Sequence, residues 1–264
     1  MSNKTFLTAL LAALATTPAM AQGLQLKAAS IDASIDSAIE DDVDAYQSTL
    51  KGTAEFAITP NILVGASLGL FSHGGDLYET SDADSTNMTL HAMYMYTPTT
   101  GIGVFAATEA YDGLDDNINT VGFEFGMRNG NIALDGYYGL TDLEAYNGDD
   151  FTFGGLSASY ITEQGFAFAL NYDAFTPIEG VTDGGEYLDG KKNDLSVSAG
   201  YALENGVNLS ASLGRLSSSA TGDDGTRYYN EDPVGYVGFN VGYNFGAAGG
   251  TLTDVRSFGD LGSF

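Results

Sequence analysis

The amino-acid sequence predicts an all-β chain, a transmembrane antiparallel up-and-down β-barrel of about twelve strands with ten as the fallback count. Three observations carry this. Apolar and aromatic residues recur at every second position over blocks of about ten, which is the strand period and not the helical 3.6. Short and long connections between the blocks strictly alternate. The apolar faces of the blocks carry no charge, as a surface in contact with lipid requires, because a charged side chain at mid-bilayer on a barrel exterior costs about 2–4 kcal/mol.

Eleven strands can be read in order, at residues 47–58, 62–71, 87–96, 102–108, 117–127, 131–140, 151–161, 166–172, 193–203, 207–216 and 233–245. The clearest has Val237, Phe239, Val241, Tyr243 and Phe245 on one face and Gly238, Asn240, Gly242 and Asn244 on the other. Tight turns such as Thr59-Pro60-Asn61, Arg128-Asn129-Gly130 and Glu204-Asn205-Gly206 alternate with polar connections at 72–86, 109–116, 141–150, 173–192 and 217–232. A bacterial barrel uses an even number of strands, so a twelfth is needed, and residues 24–36 are the segment in the right place despite their weaker alternation. Aromatics such as Phe56, Phe71, Tyr94, Tyr96, Phe123 and Phe125 crowd strand ends, where interfacial girdles sit. A soluble sandwich or lipocalin-like barrel is the alternative. Its outer face would be rich in Lys and Glu, whereas the face opposite the apolar one is small and polar here.

Composition narrows function. The 264 residues hold 9 Lys+Arg against 35 Asp+Glu, a net charge of −26, with no Cys and two His. So acidic a chain repels phosphate backbones and disfavours nucleic acid, and the missing thiols exclude disulfides, thiolate nucleophiles and Cys-based metal sites. Lys4, the apolar run 6–15 and Ala19-Met20-Ala21 read as a secretory signal at 1–21, too short to span a membrane. The barrel would then occupy 22–246, with 247–264 as a periplasmic tail or plug.

With signal, hairpin rhythm, acidic loops and the closing segment at 237–245 in hand, the chain resembles the outer-membrane porin superfamily of Gram-negative bacteria. The closing segment looks like the C-terminal signal such proteins present to the barrel-insertion machinery. The resemblance implies a location in the outer membrane, contact with its lipids and lipopolysaccharide, and a homo-oligomer or a monomer. It departs in one respect: residues follow the signal. Counting back by twos from Phe264 meets Asp260, Arg256 and Asp254, which no lipid-facing strand tolerates.

The expected function is a passive diffusion channel for small hydrophilic solutes. Lys51, Glu55, Glu124 and Asp135 are the expected pore-lining residues, their acidic excess favouring cations, with a stabilising lumen salt-bridge network as the plainer reading. The connection at 173–192 is the longest and the candidate for a loop folded into the pore, although a solvated surface loop is the commoner fate. Acidic pairs in the long loops match no calcium-loop spacing, so no metal and no cofactor is expected. Two other classes remain: a non-conducting anchor or adhesin, and a lipid hydrolase using His73 with Ser72 and Asp76, or His91 with Thr89.

Overall fold

The computed structural model describes residues 24–39, 45–75, 84–112, 117–143, 149–177, 181–183, 186–222, 227–230, 233–246 and 251–257. The signal-like residues 1–21 and Asp76 lie outside these. The strands are β1 (Gln25–Ala38), β2 (Ala45–Thr59), β3 (Ile62–Gly75), β4 (Ser85–Thr97), β5 (Thr100–Tyr111), β6 (Ile118–Asn129), β7 (Ile132–Leu143), β8 (Asp149–Ile161), β9 (Phe166–Pro177), β10 (Val181–Asp183), β11 (Glu186–Ala202), β12 (Val207–Gly222), β13 (Arg227–Asn230) and β14 (Val234–Gly246).

Every pairing is antiparallel, and the sheet closes where β1 meets β14, from Ala28↔Gly246 to Ala38↔Tyr236. Closure removes the sheet edges, which lipid could not satisfy. Twelve strands make the wall. The short β10 and β13 lengthen the hairpins above it by pairing with the ends of β11 and β12. The twelfth strand of the wall is β1, whose register with β2 runs through Ser37↔Tyr46 after one irregularity at Leu26/Ala28. Its mixed sequence suffices because Lys51, Thr49 and Gln47 of β2 and the small residues of β14 accept short polar neighbours.

The short turns share one rim. Gly130 (φ 58°) and Gly165 (φ 90°) sit there in backbone conformations that a side chain resists. The start of β1 and the end of β14 lie at this same rim, since both pair across the closure there.

Alternation then sets polarity. Phe123 is 71 % and Phe239 62 % exposed on the outside, while Glu55 is 2 % and Ser67 0 % exposed within. A closed sheet with oil outside and carboxylates inside has the polarity of a membrane-spanning barrel. Three expectations shift. Phe71 and His73 point into the lumen and are buried, so Phe71 joins no outer girdle and His73 belongs to β3 and not to a loop. Glu109 belongs to β5. The described residues of 173–192 extend upward through β9–β11 and β10–β11 pairs, in line with the commoner fate outside the pore, because their own cross-strand pairs supply the backbone hydrogen bonds.

Candidate functional site: a divided lumen

The lumen is divided lengthwise by residues 251–257, which run along the inner faces of β2–β7. At the short-turn rim the Arg128 guanidinium donates from Nη2 to the Thr251 carbonyl (3.1 Å). The Glu55 carboxylate then accepts the backbone N–H groups of Leu252 (2.6 Å) and Thr253 (2.7 Å) and the Thr253 hydroxyl (2.9 Å) through one oxygen. Leu252 packs against Leu63, Met93 and Met95, an apolar patch inside a polar lumen. Further along, the Arg256 N–H donates to Thr89 Oγ1 (3.2 Å), and Asn87 Nδ2 donates to the Arg256 carbonyl (2.9 Å). Near the long-loop rim the Ser257 hydroxyl donates to Glu109 Oε1 (2.8 Å), which also accepts from Ser85 (2.8 Å).

Glycine allows this approach. A Cβ on Gly126 would stand 2.8 Å from the Leu252 carbonyl oxygen, and one on Gly69 3.1 Å from Val255 Cγ1. The backbone of the segment would otherwise be buried without hydrogen-bond partners, and the wall supplies side chains in the role that a neighbouring strand plays elsewhere.

Arg256 is the centre of charge. Its Nη1 and Nη2 donate to the two oxygens of Asp135 (2.9 and 2.8 Å), while Nε and Nη2 donate to Glu124 Oε2 (3.2 and 3.1 Å). The guanidinium carbon lies 4.4 Å from the Tyr137 ring centroid. Glu124 is also met by His91 Nδ1 (2.9 Å), and His91 Nε2 contacts Ser67 Oγ (3.1 Å), which accepts from Thr53 (2.9 Å). The donors agree in direction when the imidazole proton sits on Nδ1. Ser67, His91 and Glu124 thus follow the order of a serine–histidine–carboxylate relay. Ser67 has no exposed surface on which a substrate could be attacked, and His91 and Glu124 side chains are likewise fully covered.

The other side of the lumen is open. A cavity of about 610 Å³ lies between the segment and the inner faces of β1, β2, β7–β9, β11, β12 and β14, with Arg128 of β6 also on its lining. Ser157, Asn171, Ser198, Ser210 and Asn240 are among its short polar lining, with carboxylates from Asp32, Asp36, Asp173 and Asp194.

Of the four residues singled out from sequence, all point inward, but the segment separates them. Lys51 and Asp135 border the cavity, Lys51 with its Nζ 5.8 Å from the Phe71 ring centroid. Glu55 and Glu124 are enclosed behind the segment. Sequence reasoning missed Arg256, Tyr137 and Asp173 as lumen residues. The signal available for Arg256 was its rarity, as the one basic residue after position 246 in a chain with 9.

No family model matches the chain, and no curated protein matches it in sequence. Solved structures do match in fold. The NanC porin is similar at a TM-score of 0.54 and 10 % identity, over 83 % of this chain and 100 % of that one. An outer-membrane channel from Pseudomonas putida F1 matches at 0.52 and 12 %, over 86 % and 97 %. The KdgM porin matches at 0.50 and 10 %, over 82 % and 99 %. The chain therefore has the fold of outer-membrane porin-type β-barrels.

Proposed function

We propose that the protein is a passive outer-membrane channel for small hydrophilic solutes with a preference for cations. The observation that carries this reading is the open cavity beside the 251–257 segment, lined in large part by Ser, Asn and Asp side chains too short to fill it. Asp32, Asp36, Asp173 and Asp194 face it, while the Arg256 cation is matched by Glu124 and Asp135. Lys51 and Arg128 are the remaining bases on its lining, so the path is net acidic and concentrates cations. In this reading Lys51 and Asp135 line the path, Glu55 and Glu124 hold the segment, and residues 251–257, part of the expected tail or plug at 247–264, act as a built-in constriction. The barrel would be delivered by the insertion machinery, bedded in outer-membrane lipid and lipopolysaccharide, and active as a monomer or homo-oligomer without a cofactor.

Purified full-length protein in planar bilayers should give stepwise conductance with a reversal potential displaced toward cations. Asp32→Asn together with Asp36→Asn should reduce that displacement. A well-folded sample that stays silent would support a non-conducting anchor, the reading that a lumen half filled by its own chain favours. Hydrolysis is the weaker reading, because Ser67 lies beneath the segment with no exposed surface.

A further inference from the structure

The side chains that hold Arg256 all belong to the wall, and neighbours on the wall brace Glu124 and Tyr137. Glu124 on β6 is fixed by His91 on β4 at 2.9 Å. Tyr137 on β7 donates its hydroxyl to Asp173 on β9 (2.6 Å) and leans on Phe105 and Phe153, at centroid distances of 6.2 and 4.9 Å. Asp135 is one position pair away on the same strand. The outcome is a cleft with one carboxylate presented end-on to a fork, a second carboxylate along its side, and an aromatic face beneath.

This shape selects guanidinium over ammonium. Two parallel N–H groups reach the two oxygens of Asp135, a third and a shared fourth contact reach Glu124, and the flat cation covers the ring. An ammonium is a point charge with tetrahedral donors and cannot satisfy both carboxylates and the ring face in one plane. The cleft also has a way in. The Asp135 side chain is 27 % exposed, and Asp135, Tyr137 and Arg256 all border the open cavity.

We propose that the Glu124–Asp135–Tyr137 cleft is a guanidinium-recognition site, that Arg256 is its intramolecular occupant, and that solutes bearing a guanidinium group, arginine being the simplest, compete with the segment for it. The inference rests on the channel reading only for the route by which solutes arrive. Competition would loosen 251–257 at its central charge and widen the path.

The test is calorimetric titration of detergent-solubilised Arg256→Ala with arginine, guanidinium, lysine and ammonium at millimolar concentrations, alongside bilayer recordings. Arginine and guanidinium should bind at least tenfold more tightly than lysine and ammonium. Wild type should bind them more weakly than the variant, and adding Asp135→Asn should abolish the preference. In bilayers guanidinium should lower the raised conductance of Arg256→Ala, and ammonium should not. Equal binding of arginine and lysine by the folded variant overturns the proposal. If Arg256→Ala does not fold, Arg256→Lys keeps the cation without the fork; it should still prefer arginine to lysine, and equal binding there likewise overturns the site. Selective binding without conductance keeps the cleft and removes the channel, whereas conductance with unselective binding does the reverse.

Discussion

Strands β2–β7 and the strands from β8 round to β1 share one backbone plan and one oily exterior, yet the first half of the wall grips residues 251–257, with parts of β2, β6 and β7 also reaching the cavity, and the second faces open space. Their inner positions differ in reach. Glu55, Asn87, His91, Glu109 and Glu124 are long side chains with directional polar ends, and each finds a partner on the segment or on a neighbour. Ser157, Ser198, Ser210 and Ser212 end a bond or two from the backbone and leave the middle of the lumen unfilled. Small residues serve both halves in opposite ways. Gly69 and Gly126 bring chain against chain, whereas Gly238 and Gly242 leave room for Asp36 and Asp32. A barrel of this circumference can thus be half plugged and half open without any change in strand geometry.

The contrast breaks most completely at Arg256. Arg256→Ala leaves Glu124 and Asp135 facing each other without a cation, and removing one partner of a buried pair costs about 3–5 kcal/mol. The segment should detach, losing hydrogen-exchange protection at Thr253 and Val255 by a hundredfold or more; protection that persists would show that the tail-bearing wall needs no central charge. Glu55→Gln is next. Hydrogen bonds to a charged acceptor contribute about 1.5–3 kcal/mol each, so exchange at Leu252 and Thr253 should accelerate while the Arg256 end stays docked.

Gly126→Ala should cost about 1–3 kcal/mol of docking, since the added methyl meets a backbone carbonyl and not a movable tip. Its counterpart on the open wall, Gly238→Ala, meets the ends of the Asp36 and Ser212 side chains, which can turn away, and should cost less in a urea titration. The smallest effect belongs to Ser210→Ala, within about 0.5 kcal/mol of wild type. A larger loss there would mean that the open wall is also a packed surface.

Much of the wall was legible because each strand states its own polarity. Val237, Phe239 and Val241 against Gly238, Asn240 and Gly242 are neighbours in the chain, and period two needs no knowledge of anything else. The inward direction of Lys51, Glu55, Glu124 and Asp135 follows from the same local rule. What those residues do was not legible. Arg256 meets Asp135 across 121 residues and Glu124 across 132, and Thr253 meets Glu55 across 198. The segment Thr251-Leu-Thr-Asp-Val-Arg-Ser257 has no repeated face to announce that it lies in a lumen. Phe71 misled for a related reason, since an aromatic at a strand end reads as a girdle residue until the register decides its side.

Residue order alone determined that the chain would hydrogen-bond into strands, hide its carboxylates from lipid and meet its own first strand, because alternation and turn chemistry act over two to ten residues. Only the closed barrel decided that six of those strands would share their interior with residues 251–257, since a buried arginine is tolerable only where separate strands bring two carboxylates and a ring to one point.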